Sequence, residues 1–289
     1  MTTNRDEIYS QVTDQIIADL EGGHIPWERP WTGGLMFPQN ASTQTIYSGI
    51  NILILWMRQR KAGFQSSQWL TFNQARELGA SIKKGQKATR IIYYQPLLIK
   101  EKNDQGDMDS KSIPMLKTHS VFNICQCEGL ESLVKIESSI GESLKEPDIC
   151  EKAEAVFNAS GAKLSFDGGS HAFYNVTRDS IHMPQKSVFK DQLGFYGTLL
   201  HELTHWTGAE SRLNRSLAAT RTVSHEAKEE LVAELGASFL CAHVGLEYSS
   251  QHAAYIESWL NVLKQDKSAI FKAASQARQA TEFLIKSQH

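Results

Sequence analysis

No apolar run in this 289-residue sequence approaches the roughly 20 residues that a membrane-spanning helix needs, and no apolar signal segment opens it. The expectation is a protein with no membrane association. Cysteine is scarce. Cys125, Cys127, Cys150 and Cys241 form no CxxC pair and no framework spacing, which excludes a disulfide scaffold and points to a reducing cytoplasm. Cys125 and Cys127 alternate along a strand end and read as small buried hydrophobes. A charge surplus is also missing: 30 Lys and Arg oppose 32 Asp and Glu, so the net charge of −2 excludes affinity for polyanions in bulk. There is no internal repeat, no phosphate-cradling glycine loop and no dinucleotide fingerprint. What remains is a globular composition, 41% hydrophobic, at a length for which two domains are the natural expectation.

One pentapeptide carries chemistry, His201-Glu202-Leu203-Thr204-His205. Each helical residue advances about 100°, so residues four apart lie roughly 40° from a common face. His201 and His205 on one helix can therefore reach one Zn²⁺, with Glu202 beside it to take a proton from water. Phe189, Leu193, Tyr196, Leu199, Leu200, Leu203 and Trp206 keep an apolar stripe at helical spacing, and Gly208 suits the helix end. A catalytic zinc site needs a third protein ligand. The HExxHxxGxxH pattern fits as far as Gly208 but has Ser211 where its last histidine belongs. The remaining source is a glutamate on a later helix. Ser224 to Leu246 reads as such a helix, with Ser224 as N-cap, and it carries Glu229, Glu230 and Glu234. Glu230 is the expected ligand and Glu234 the residue that orients an imidazole through its other nitrogen. Glu229 and His225 stay open as competitors, as does a merely solvated acidic face.

Around this site the elements are sketched by periodicity and punctuation. Arg5 to Glu21 is an amphipathic helix, with Ile8, Val12, Ile16 and Leu20 on one side. A loop rich in Gly, Pro and Trp follows from Gly22 to Gln44, then a helix from Ile50 to Ala62 stopped by Gly63. Thr71 to Gln74 reads as a capping box opening a short helix that ends near Gly79. Two strands, Thr89 to Ile99 and Ile113 to Ile124, flank a polar loop from Lys100 to Ser112. Glu131 to Pro147 has linker composition. Beyond it come a helix from Asp148 to Ser160 and short strands at Ala162 to Phe166, His171 to Asn175 and Ser180 to Met183. The two site helices follow, with two more helical segments to the C-terminus. The fold class is α+β, with an α/β amino-terminal domain over residues 1–130, a linker over 131–147 and a zincin-like domain over 148–289.

The balanced net charge hides a basic stretch. Between Arg58 and Arg90 stand Arg58, Arg60, Lys61, Arg76, Lys83, Lys84, Lys87 and Arg90, against Glu77 alone. Cations that track a backbone, with aromatic faces on which unpaired bases stack at about 1–3 kcal/mol each, suit single-stranded nucleic acid. Trp56 and Trp69 lie in apolar runs and read as core. Trp27 and Trp31, in the Pro/Gly-rich loop, are the stacking candidates, and Lys83, Lys84, Lys87 and Arg90 the phosphate contacts; an ordinary solvated turn is the plain alternative for the lysines.

Taken together these stretches resemble the ArdC-type antirestriction proteins, a family related to the amino-terminal part of plasmid TraC primases. The likeness rests on Ile8 to Thr13, Pro26 to Trp31, Gly49 to Trp56, Trp69 to Phe72, Lys84 to Lys87, Val121 to Asn123, His201 to Gly208 and Glu229 to Leu235. It implies a single-stranded DNA-binding amino-terminal domain, a metallopeptidase-type carboxy-terminal domain, and a plasmid protein that shields incoming DNA from host restriction during conjugation. It carries His201, His205 and Glu230 over as metal ligands and Glu202 as catalytic base. Zn²⁺ suits two imidazoles and a carboxylate, and Mn²⁺ or Co²⁺ could occupy the same cage. Tyr248, Arg221 and His225 are candidate oxyanion donors, and Ser180 to Met183 a candidate edge strand for an extended peptide. Three activities fit: an active peptidase on a DNA-binding protein, a DNA-coating protein whose metal site is structural or vestigial, and a protease localised by DNA to cleave proteins bound there, a host restriction enzyme among them.

Overall fold

The computed structural model describes residues 5–28, 37–102, 108–134, 145–166, 169–217, 222–248 and 255–287. It is an α+β protein. Helices α1 (Arg5–Glu21), α2 (Ile50–Ala62) and α3 (Phe72–Glu77) accompany a four-stranded sheet in the order β1 (Gln39–Asn40), β2 (Gln68–Leu70), β5 (Met108–Asn123), β4 (Thr89–Lys102). A two-stranded sheet joins β3 (Ser81–Ile82) to β6 (Cys127–Glu128). Helix α4 (Glu146–Ser160) leads into β7 (Lys163–Ser165), β8 (Phe173–Asn175) and β9 (Ser180–His182), and then to helices α5 (Gln192–Thr207), α6 (Val223–Val244), α7 (Ile256–Gln265) and α8 (Ala269–Lys286). Among the described residues no helix is long and apolar enough to cross a membrane.

Local chemistry explains the boundaries that the sequence marked well. Gly63 ends α2 in the left-handed conformation (φ 66°) open to glycine without strain, its N–H returning to the carbonyls of Arg60 and Gln59. Thr71 and Gln74 form the expected reciprocal cap of α3. Other boundaries move. The two long strands pair from Thr89 with Val121 to Lys102 with Met108, so the hairpin runs well beyond the expected loop ends, and positions 103–107 lie outside the described residues. Helix α6 starts at Val223 with Thr222 as its N-cap, not Ser224; the Thr222 hydroxyl accepts the His225 N–H at 3.2 Å. Residues 131–134 are helical and α4 begins at Glu146, so both ends of the expected linker are ordered, and residues 135–144 lie outside the described set.

The largest core joins the two ends of the chain. Ile8, Ile16, Leu53 and Trp56 from α1 and α2 pack with Leu231, Leu235 and Phe239 from α6 and with Trp259 and Ile270 from α7 and α8. A second core lies under α4, β9 and α5, and takes Leu240, Cys241 and Val244 from α6. Helix α6 therefore serves both, which is why it is apolar on nearly every side. The sheet is tied to this body through Asn51, whose side-chain amide exchanges two hydrogen bonds with the backbone of Ile92 (2.7 and 2.8 Å), satisfying the outer edge of β4 as another strand would.

Helices α5 and α6 touch at Thr204 and Gly236. A Cβ on Gly236 would lie 2.4 Å from the Thr204 Cγ2 and 2.8 Å from its Oγ1, and that hydroxyl is held by the Leu200 carbonyl at 2.9 Å. Mid-helix glycine costs about 1 kcal/mol against alanine; here it lets two backbones approach. Gly236→Ala is expected to lose about 1–3 kcal/mol by overpacking despite its gain in helix propensity. Chemical denaturation measures this, and Thr204→Ala in the same chain should restore much of the loss. An unchanged midpoint for Gly236→Ala would show that the crossing is not tight.

Candidate metal centre

Asp191 caps α5, its carboxylate accepting the Gly194 N–H at 2.8 Å, and the helix carries His201 and His205 one turn apart on the side facing α6. Across the crossing, α6 presents Glu229, Glu230 and Glu234. His201 Nε2 lies 3.5 Å from Glu230 Oε2, and His205 Nε2 lies 3.5 Å from Glu230 Oε1. The nearest donor atoms of these three residues all fall within 4.8 Å of one another, the single such grouping among the described residues. Ligands about 2.0–2.1 Å from a tetrahedral ion stand roughly 3.3–3.4 Å apart, so the spacing fits a divalent cation. Glu202 is buried beside His201.

Each imidazole has a carboxylate at its far nitrogen. Glu229, the competitor for the ligand role, lies behind His205, with Oε1 3.1 Å from Nδ1. Arg215 fixes it there, donating to both Glu229 oxygens at 3.0 and 2.8 Å, to the Thr204 carbonyl at 2.7 Å and to the Thr207 hydroxyl at 2.8 Å. Gly208 makes room for this guanidinium, since a Cβ there would meet it at 2.7 Å. Burial alone would raise the Glu229 carboxyl, but His205 and Arg215 outweigh burial and hold it below its ordinary range. Burial likewise opposes a charged His205, yet Glu229 and Glu230 reverse this and lift its pKa well above the usual imidazole value. The pocket favours a cation at this point.

Behind His201 stands Glu234, fully buried, with Oε1 3.6 Å from Nδ1. Its other oxygen accepts the indole N–H of Trp27 at 3.2 Å. Trp27 is 0% exposed and meets Trp259 edge-on at 5.3 Å, so it cannot serve as a base-stacking platform. The Gly/Pro-rich loop reads as exposed only while its packing partners, more than 200 residues away, are out of view. Trp31 and Arg221 lie outside the described residues. Trp56 and Trp69 are core, as their apolar neighbours indicate. Lys83 donates its ammonium to the Cys125 carbonyl at 3.0 Å, whereas Lys84, Lys87 and Arg90 are exposed.

One further expectation changes. Ser180–His182 is not an edge strand: it lies between β7, in parallel, and β8, antiparallel, so any added strand must pair at β7 or β8. The Tyr248 phenol is raised well above the ordinary value by burial and then by the Glu234 charge. His225 lines a separate cavity of about 190 Å³ with Arg215 and Asp266. Tyr255, which the sequence did not single out, stacks on Trp259 and has its phenol raised first by the charge of Glu230, then by burial, Glu226 and Glu202. A cavity of about 670 Å³ is lined by His201 together with His24, Glu28, Arg60, Lys190, Thr198 and Tyr248.

Known proteins resemble this chain over nearly its whole length. Residues 6–122 match the model of the N-terminal domain of anti-restriction factor ArdC, and residues 151–276 that of a zincin-like metallopeptidase. DNA primase TraC of Escherichia coli is 34% identical over 295 residues, covering 96% of this chain, which spans only 27% of that primase. The uncharacterized protein y4eC of Sinorhizobium fredii is 32% identical, with 98% of this chain and 95% of that protein aligned. The crystal structure of the antirestriction protein ArdC from plasmid R388, metal-free, superposes with a TM-score of 0.81 at 36% identity over 98% of both chains. Its Mn(II)-bound form gives 0.79 at 37% identity over 97% of both. With both halves matched and the whole fold shared, this chain belongs to the ArdC family of antirestriction proteins.

Proposed function

We propose that the chain is a plasmid antirestriction protein that binds single-stranded DNA through its amino-terminal half and carries a peptidase-type divalent-metal centre. One observation carries the second part: both histidine Nε2 atoms face the two oxygens of Glu230 at 3.5 Å, with a carboxylate behind each ring. His201, His205 and Glu230 would hold the ion, Zn²⁺ by the chemistry of the donors, with Mn²⁺ supported by the R388 relative and Co²⁺ as a spectroscopic substitute. A bound ion supplies Lewis acidity to a water molecule and to a scissile carbonyl. Glu202 accepts the proton from that water and returns it to the leaving nitrogen. Glu229 and Glu234 keep the rings turned so that Nε2 is the bare nitrogen. The substrate is a polypeptide, with host restriction enzymes or other DNA-bound proteins as the class to test.

The DNA reading is supported by exposed cations at the base of the long hairpin, Lys84, Lys87, Arg90 and Lys117, and by the exposed ring of Tyr93, which is paired with Lys117 across the hairpin. Tyr93 also meets His119 edge-on at 5.9 Å across the hairpin.

Glu230→Ala should strip the metal, read as loss of stoichiometric ion by mass spectrometry; full occupancy would refute its role. Glu202→Gln should keep the ion and abolish cleavage of a protein substrate. Preserved turnover removes the catalytic base, and preserved antirestriction without turnover favours the DNA-coating reading. For the DNA side, Lys84→Ala with Lys87→Ala should weaken single-stranded DNA binding and flatten the log K against log salt plot by about 1.4, roughly 0.7 for each lost phosphate contact. An unaltered slope in a mobility-shift titration places the interface elsewhere.

A further inference from the structure

We infer that Trp27 is a positioning residue of the metal centre, so that an amino-terminal segment completes a site otherwise built from α5 and α6. This rests on the reading of His201 as a metal ligand. Trp27 is anchored to α6 at both of its polar ends. Its indole N–H donates to Glu234 at 3.2 Å, and its carbonyl accepts the Ser238 hydroxyl at 2.6 Å. Glu234 and Ser238 are four residues apart, on one face of the helix. The ring is held edge-on against Trp259 (5.3 Å, 72°), and all of these side chains are buried.

The chemistry of the donor makes the contact directional. An indole N–H donates and never accepts, so it pairs only with a carboxylate oxygen that has no proton on it. Trp27 thereby fixes the Oε2 side of Glu234, which aims the remaining oxygen, Oε1, at Nδ1 of His201, 3.6 Å away. An acceptor at Nδ1 keeps the proton on that nitrogen and leaves Nε2 bare toward Glu230. Without the indole, one oxygen of a fully buried carboxylate loses a partner, and the group is free to turn away from the ring. His24, Ile25 and Glu28, the neighbours of Trp27, also wall the cavity beside His201. Metal occupancy and the seating of residues 22–28 are therefore linked, and linkage is reciprocal: a cation that orders His201 tightens the segment, and whatever unseats the segment weakens the cation.

Trp27→Phe in the full chain tests this, because it keeps the buried ring and removes the N–H. The readouts are Zn²⁺ and Mn²⁺ affinity by chelator competition, and the visible spectrum of the Co²⁺-loaded protein, with near-UV circular dichroism of the metal-free protein as folding control. The expected result is a folded variant that binds about 10–100-fold more weakly, with a shifted Co²⁺ spectrum. Glu234→Gln should also bind more weakly, and the double variant should lose no more than Glu234→Gln alone, since both act through one carboxylate. Wild-type affinity and spectrum in Trp27→Phe, or fully additive losses, overturn the proposal. Should Trp27→Phe fail to fold, 5-fluorotryptophan labelling of the wild-type chain decides: the Trp27 resonance must shift when Zn²⁺ is added, and a static signal overturns the proposal. A wild-type protein that takes up no metal overturns the underlying functional reading instead, and is recognised before any variant is made.

Discussion

The closeness of two helices at Thr204 and Gly236 is the constraint on which the rest of the site depends. It brings the face of α5 that bears His201 and His205 against the face of α6 that bears Glu229, Glu230 and Glu234. Any larger side chain at position 236 would widen the gap between imidazoles and carboxylates, and the 3.5 Å spacing that suits an ion depends on that gap. Gly208 plays a lesser version of the same part by admitting Arg215 beneath the helix end.

Packing four carboxylates, Glu202, Glu229, Glu230 and Glu234, around two rings is costly unless something positive or donating answers each of them. Arg215 answers Glu229, and Trp27 answers Glu234. Glu230 faces both Nε2 atoms at 3.5 Å. The raised pKa of His205 expresses the pull of Glu229 and Glu230 against burial. On the proposed reading Glu229 and Glu234 orient the rings and Glu230 meets the cation, although these three glutamates lie within six residues of sequence.

Much of this was legible in the chain, and the reason is local. HExxH spacing, the Glu230–Glu234 interval, the Thr71 capping box and the Gly63 stop are all contacts within one or two helical turns, where geometry follows from sequence distance. What escaped depends on partners far along the chain. Trp27 reads as a loop aromatic until Glu234 and Trp259 are beside it. Glu229 and Glu230 are adjacent, and only helix rotation set by packing decides which one meets both Nε2 atoms. Arg215 is an unremarkable basic residue in a turn until it reaches Glu229. The strand Ser180–His182 is too short to tell from its own residues whether it has one neighbour or two. Thr222 and Ser224 are both competent caps, and their choice rests on where α6 docks.

The core shared by the first two helices and the last three bears on how such genes are assembled. A recombination breakpoint between the two recognisable halves would split that core, leaving Leu53 and Trp56 on one product and Leu235 and Trp259 on the other, both bared to water. The primases of Escherichia coli are consistent with this: their resemblance covers 96% and 95% of this chain, both halves together, within a longer polypeptide.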